Sequence, residues 1–419
     1  MRNIVFGLIL SSFILTSCGI NPVTGERQFT LISPEQEVSL GSKQYGPSQQ
    51  SQGGQYIIDP ALNGYINRVG QKLARLSAQP NLPYEFVVLN NDIPNAWALP
   101  GGKIAINRGL LVLLEDEAQL AAVLGHEVVH AAARHGASQM SQGMLLQLGT
   151  QVVGAATQNS GYAQLAGIGA SAFQARYGRS QELESDKYGM EYMVKAGYNP
   201  QAAVELQQTF LRLSHKGGAQ RDWLSSLFAS HPPSAERVTK NQARVNRYPA
   251  GIRNKAAYQR AIRQLIRDKE AYGLHTKALQ AAGKKQWQQA LSLTRQAIRQ
   301  QPREARFHIT QARLLENAGK DRSALKALDR ASRLEPNYFA SFLYRGLINQ
   351  RTKNYASAQR DFLASNKLFE TQPANFYLGE IAQRSNQRNN AIRYYRKATQ
   401  GGGNIGKAAA ARLQKLGIK

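Results

Sequence analysis

Apolar side chains at Ala118, Leu120, Ala121, Val123 and Leu124 recur with helical spacing and meet no glycine or proline before Gly125. They predict a helix with one buried face. A second amphipathic helix opens at Arg179 and runs through Tyr188, Met190, Tyr192 and Met193. Upstream of both, Lys103-Ile104-Ala105-Ile106-Asn107 alternates polar and apolar after the turn signal Pro100-Gly101-Gly102, as a half-buried strand does. Residues 136–175 contain no charged side chain. They read either as a lid or membrane-contacting hairpin or, the favoured reading, as a buried helical hairpin; their Gln and Asn interruptions argue against a spanning helix.

The last third of the chain repeats itself. Ala290, Ala324, Ala358 and Ala391 are spaced 34, 34 and 33 residues apart, and Ala297, Ala331, Ser365 and Ala398 follow each of them by seven. Ala312, Gly346 and Gly379 precede the last three by twelve, and Pro302 and Pro336 close the first two units. Small residues at such positions let paired helices pack closely, and a period near 34 resembles the tetratricopeptide repeat. Four repeats are expected from about 271 to 404, with a terminal helix from about 405. A solenoid of this kind offers a groove to protein partners and carries no catalytic residues.

At 419 residues the chain exceeds what one core usually serves. Its net charge of +26 is unevenly spread: residues 251–419 hold 33 Lys and Arg against 10 Asp and Glu, and residues 1–250 hold 20 against 17. The expected division is a signal peptide at 1–17, a first domain at 18–250, a helical linker at 251–270 and the repeats at 271–419. Basic residues scattered over repeats, with no recognised binding motif, speak against nucleic acid as the partner. An anionic membrane surface or an acidic protein fits them better. At the N-terminus an apolar run from Ile4 to Leu15 is too short to span a bilayer. It ends in Leu15-Thr16-Ser17-Cys18, which resembles the bacterial lipobox and implies cleavage before Cys18 and lipidation of its thiol. Gly19 follows rather than Asp, which implies a periplasmic protein anchored to the outer membrane through a short tether, Asn21–Arg27. Cys18 is the only cysteine, so the monomer has no internal disulfide.

The chemistry is concentrated in His126-Glu127-Val128-Val129-His130. Residues four apart on a helix share a face, so both imidazoles can meet one metal ion. Glu127, between them, can take a proton from metal-bound water. A catalytic zinc needs a third protein ligand and an open position. Glu182 is favoured over Glu184, which reads as a solvated charge. Asp186, one turn beyond Glu182, can accept the outer N–H of a ligating histidine.

His-Glu-x-x-His followed some fifty residues later by Glu-x-x-x-Asp resembles the zinc metallopeptidase family that contains the CAAX prenyl endopeptidases and the heat-shock protease HtpX. Two further stretches carry the likeness: Pro94-Asn95-Ala96-Trp97-Ala98-Leu99-Pro100-Gly101-Gly102-Lys103-Ile104-Ala105-Ile106 before the helix, and His231-Pro232-Pro233-Ser234-Ala235-Glu236-Arg237 after the third ligand. Together they span roughly residues 20 to 250. The resemblance implies one zinc per subunit on His126, His130 and Glu182, with Glu127 as general base. Beside the metal, an edge strand could pair with an extended peptide through Asn95, Ala96, Gly102, Lys103 and Ile104, or the segment is a plain hairpin. His231 could donate to a developing oxyanion or close the metal's open position. Arg237 could stabilise the same charge or pin its loop. His135, His215, His275 and His308 are expected to be ordinary.

The expected architecture is mainly α: a zincin-type peptidase domain with a small β element, then an α-solenoid. Joined behind a lipobox, the two resemble envelope quality-control proteases that assist outer-membrane protein assembly. The expected activity is zinc-dependent cleavage of misfolded or misassembled envelope proteins, with the repeats binding substrate or the outer-membrane assembly machinery. The rival expectation is a chaperone or assembly factor with a latent peptidase site blocked by His231.

Overall fold

The computed structural model describes residues 18–153, 177–215 and 219–418. The expected signal peptide at 1–17 and the part of the uncharged stretch beyond residue 153 lie outside the described residues. The chain divides into two compact units, one made of residues up to Tyr45 together with Asp59–Arg263, the other of Gly46–Ile58 together with Gln264–Lys419.

In the first unit a three-stranded sheet carries β3 (Glu85–Leu89), β4 (Ala96–Leu99) and β5 (Lys103–Asn107) in the order β3-β5-β4. β5 runs parallel to β3 and antiparallel to β4. It is therefore the central strand, and all five of its residues are buried. The expectation of a half-buried edge strand at Lys103 and Ile104 is corrected: both edges of β5 are taken. On one face Val87, Leu89, Trp97, Leu99 and Ala105 pack with Tyr45, while Val88, Ile104 and Ile106 are buried on the other. Lys103 survives inside because its ammonium donates to the Pro83 carbonyl at 3.0 Å and pairs with Glu85. The edge strand on the His-Glu-x-x-His side is β4.

The helix Glu117–Ala132 starts at Asp116, whose carboxylate accepts from the Gln119 N–H at 2.9 Å. It crosses the helix Arg179–Lys195 at two glycines. A Cβ on Gly125 would stand 3.0 Å from the Gly189 carbonyl oxygen, and one on Gly189 would stand 3.0 Å from the His126 nitrogen. Those two absent side chains set how closely the helices approach. The first helix ends because Arg134 takes φ 61°, in the left-handed region, and a new helix starts at His135.

That corner is wrapped by the start of the chain. β1 (Cys18–Ile20) pairs antiparallel with β2 (Arg27–Phe29). The turn between them is closed by Asn21 N–H to Glu26 O and Gly25 N–H to Asn21 O, both 2.8 Å. The expected short tether at 21–27 thus lies within a folded hairpin. Gln28 donates to the Ala133 carbonyl at 3.0 Å, and buried Glu37 accepts from Arg134 Nε at 2.6 Å.

The second unit is a run of helix pairs: Lys269–Gly283 with Trp287–Gln300, Ala305–Asn317 with Asp321–Leu334, Phe339–Arg351 with Tyr355–Leu368, and Gln372–Arg384 with Arg388–Thr399, followed by Gly403–Lys415. Ala290, Ala324, Ala358 and Ala391 are fully buried. The facing positions trade volume: Gly346 stands against Phe362 and Gly379 against Tyr395, where an added Cβ would come within 2.7 and 2.6 Å of the ring. Each pair turns through one left-handed residue, Lys285, Gly319, Lys353 or Asn386. Only one of the four is the glycine this conformation favours. Residues 46–58 fold onto this unit: Gln50 donates to Asn337 O at 2.8 Å and accepts from Phe339 N–H at 3.0 Å. Arg303 donates to Ile58 O at 2.9 Å.

Candidate active site

The helix Glu117–Ala132 carries His126 and His130 on one face, and the helix Arg179–Lys195 brings Glu182 against them. His231 follows the helix Ala219–Ser230. Among the described residues, these four side chains form the group able to hold a metal ion, with their donor atoms all within 4.8 Å of one another. Nε2 of His126 lies 3.0 Å from Nε2 of His130 and 3.3 Å from Nδ1 of His231. Oε1 of Glu182 lies 3.0 Å from Nδ1 of His231 and 3.3 Å from Nε2 of His130. Oε2 of Glu182 is 3.5 Å from Nε2 of His126. Zinc bonds of about 2.0–2.1 Å in a tetrahedron place donor atoms about 3.3–3.4 Å apart. The donor set and its spacing fit zinc, with His231 supplying the fourth corner.

Glu127 is buried, and its Oε2 has no hydrogen-bond partner. Burial raises its pKa, while His231 and His126 pull it down. Its Oε1 stands 3.6 Å from Nε2 of His231. Behind the ligands lies a second layer of charge. Asp186 Oδ1 is 3.1 Å from Nδ1 of His126. Arg237 grips Asp186 with both Nε and Nη2 at 2.7 Å, and its Nη1 lies 2.7 Å from Oε2 of Glu182 and 3.1 Å from Pro232 O. Burial disfavours the Asp186 carboxylate, but the Arg237 guanidinium outweighs it and holds the pKa below the ordinary range. The guanidinium is thus turned onto the ligand Glu182 and onto Asp186 behind the ligands.

A pocket opens over this cluster. Its apolar wall includes Val123, Met190, Met193, Leu206, Phe210 and Leu227, and His126, Glu127 and His231 lie in its lining. Of the residues expected to contact a peptide, Ala96 also lines the pocket. Asn95 accepts from Asn107 N–H at 2.9 Å, and Gly102 accepts from Glu85 N–H at 3.0 Å, so both carbonyls are spent on the sheet.

Three residues join the site without a sequence signal strong enough to find them. Tyr177 stacks on His130 with ring centroids 3.7 Å apart and donates to Ala98 O at 3.4 Å. His135, expected to be ordinary, is buried with Nδ1 2.9 Å from Nδ1 of His130. Glu184, read as a solvated charge, is instead partly buried between His135 and Asn21. His135 is five residues from His130, off the shared face of a continuous helix; only the break at Arg134 brings its ring back.

Residues 60–245 match Peptidase family M48, and this stretch is an M48 metallopeptidase domain. The chain is 28% identical over 242 residues to the beta-barrel assembly-enhancing protease of Yersinia pestis, covering 56% of this chain and 49% of that protein. It is 29% identical over 188 residues to metalloprotease YcaL of Escherichia coli K12, covering 43% of this chain and 71% of that one. It is 28% identical over 249 residues to the mitochondrial metalloendopeptidase OMA1 of Schizosaccharomyces pombe, covering 56% and 70%. The chain spans about half the length of the beta-barrel assembly-enhancing proteases it matches. Among solved structures, MamA is 14% identical with a TM-score of 0.30, covering 39% of this chain and 92% of MamA.

Proposed function

We propose that this protein is a zinc-dependent endopeptidase of the bacterial envelope that hydrolyses misfolded or misassembled proteins, with the repeats holding substrate or partner. The observation that carries the reading is the gathering of His126, His130, Glu182 and His231, with donor atoms within 4.8 Å of one another, against the buried carboxylate of Glu127. Zinc bound there supplies Lewis acidity, which acidifies water and polarises a peptide carbonyl. Glu127 takes the water's proton on its unpartnered Oε2 and returns it to the leaving amine nitrogen. Asp186, held by Arg237, fixes the ring of His126.

The apolar pocket beside Glu127 suits a bulky hydrophobic side chain, which folded proteins hide and unfolded ones expose. An extended client would pair with the edge strand β4 rather than with β5. Lipidation at Cys18 and a periplasmic, outer-membrane location belong to the same reading. No described helix is long and apolar enough to cross a membrane. The names of the bacterial relatives support a role in envelope assembly.

One observation favours a second reading. His231 brings a ring nitrogen to the fourth corner, where a catalytic zinc needs water. The enzyme is then latent, and the repeats act on clients until His231 withdraws. Digestion of casein or an unfolded porin separates the two, comparing wild type, Glu127→Gln and a chelator-treated sample. Metal-dependent cleavage by wild type that Glu127→Gln abolishes supports the peptidase; its absence under every condition supports the assembly factor.

A further inference from the structure

The two histidine ligands are backed in different ways. Nδ1 of His126 meets a carboxylate directly, Asp186. Nδ1 of His130 meets another imidazole: Nδ1 of His135, at 2.9 Å. Nε2 of His135 in turn lies 3.3 Å from Oε1 of Glu184, which accepts from Nδ2 of Asn21 at 2.8 Å. We propose that His135 is a positioning residue that fixes the tautomer and ring plane of His130, and that the N-terminal hairpin completes this support through Asn21 and Glu184.

Proton placement along the row is self-consistent. Nε2 of His130 faces the other donor atoms, so a metal there takes its lone pair and leaves the proton on Nδ1. Two ring nitrogens 2.9 Å apart need one donor and one acceptor, so Nδ1 of His135 accepts. Its own proton then sits on Nε2, the nitrogen that lies 3.3 Å from the Glu184 carboxylate. Glu184 Oε1 has room for this proton and for the Asn21 amide. Both rings are then neutral, the form in which His130 binds a metal, and the contact of His135 Nε2 with Glu184 is a 3.3 Å approach rather than a well-aligned hydrogen bond.

The surrounding fold holds the row in place. His135 is 1% exposed and is not among the grouped metal donors. The left-handed Arg134 turns the chain so that a residue five beyond His130 faces it. Asn21 is itself fixed, since its Oδ1 accepts from Val23 N–H at 2.9 Å and Thr24 N–H at 3.3 Å, which aims Nδ2 at Glu184. The hairpin turn at Asn21 thereby bears on a metal ligand more than a hundred residues away.

The inference rests on reading His126, His130 and Glu182 as zinc ligands, so the test separates the two. Zinc affinity of the full-length protein is measured by chelator competition, and the visible spectrum of the cobalt-substituted protein is recorded. His135→Phe and Glu184→Leu should each weaken zinc by about tenfold or more, within the 10–100-fold range of such outer contacts, and shift the cobalt bands. His135→Asn and Glu184→Gln keep an acceptor at each step and should recover most of the affinity. The pair His135→Phe with Glu184→Leu should be no worse than His135→Phe alone, because the two act in series. Should His135→Phe not fold, Glu184→Leu against Glu184→Gln decides by the same measure. Variants that lower the melting temperature yet bind zinc within twofold of wild type overturn the relay and leave the zinc site standing. A His130→Ala protein that binds zinc as tightly as wild type overturns both.

Discussion

Nδ1 of His231 lies 3.0 Å from Oε1 of Glu182, a contact between residues 49 apart in sequence that closes the donor cluster. A neutral imidazole there competes with water for the metal. His231→Ala is therefore expected to raise basal hydrolysis of an unfolded protein several-fold while weakening zinc retention. A fall of about a hundredfold would instead assign His231 to the developing oxyanion. Initial rates on a quenched unfolded substrate separate these outcomes.

The Arg237 side chain is only 11% exposed, and its described hydrogen bonds and ion pairs all go to Asp186, Glu182 or its own loop. Removing one member of such a buried charged set leaves the others uncompensated, at a cost of about 3–5 kcal/mol. Arg237→Met should lower the urea midpoint accordingly and loosen metal binding. An unchanged midpoint would mean that water replaces the guanidinium.

Glu335 gives the repeats a pH dependence. It is buried without a basic partner in hydrogen-bond contact, and burial, reinforced by Glu304, raises its pKa well above the ordinary value. The folded state therefore prefers the protonated acid. Its contribution to stability is complete below the unfolded pKa of about 4.3 and is lost as pH rises through the folded pKa. Glu335→Gln, which places there the side chain that Gln301 supplies one repeat earlier, should raise the melting temperature at pH 7 to 8 and leave it unchanged near pH 4. Equal shifts at both pH values would remove the titration argument.

The left-handed turns predict a second gain in the repeats. Lys285 and Lys353 hold φ 59° and 63° where Gly319 stands in the intervening repeat. Replacing either lysine with glycine relieves a backbone cost of about 1 kcal/mol. Thermal unfolding should move up by a few degrees; a downward shift would show that the lysine side chains contribute more than the strain removes.

Where sequence periodicity mapped onto one element, it was sufficient. The 34-residue spacing from Ala290 to Ala391 reads directly as four helix pairs because each small residue faces the same neighbour in every repeat. His126 and His130 were legible for a similar reason: four residues on one helix define a face. The strand at Lys103–Asn107 was misread because its alternation is real but its polar side chains find partners indoors, Lys103 at Glu85 and Pro83 O and the Asn107 amide nitrogen at Ile93 O. His135, Glu184 and Tyr177 were invisible because their roles depend on a helix break at a non-glycine residue and on the packing of segments far apart in sequence.

The central claim is that zinc on His126, His130 and Glu182 works with Glu127 to hydrolyse peptide bonds. The most direct measurement uses the His231→Ala background, where latency does not mask activity, and compares it with His231→Ala carrying Glu127→Gln. Zinc content and the initial rate on an unfolded protein are read from the same preparations. The account predicts one zinc per chain in both proteins and a rate that falls by about 10²–10⁴ when Glu127 is replaced. Equal rates at equal zinc content would contradict it.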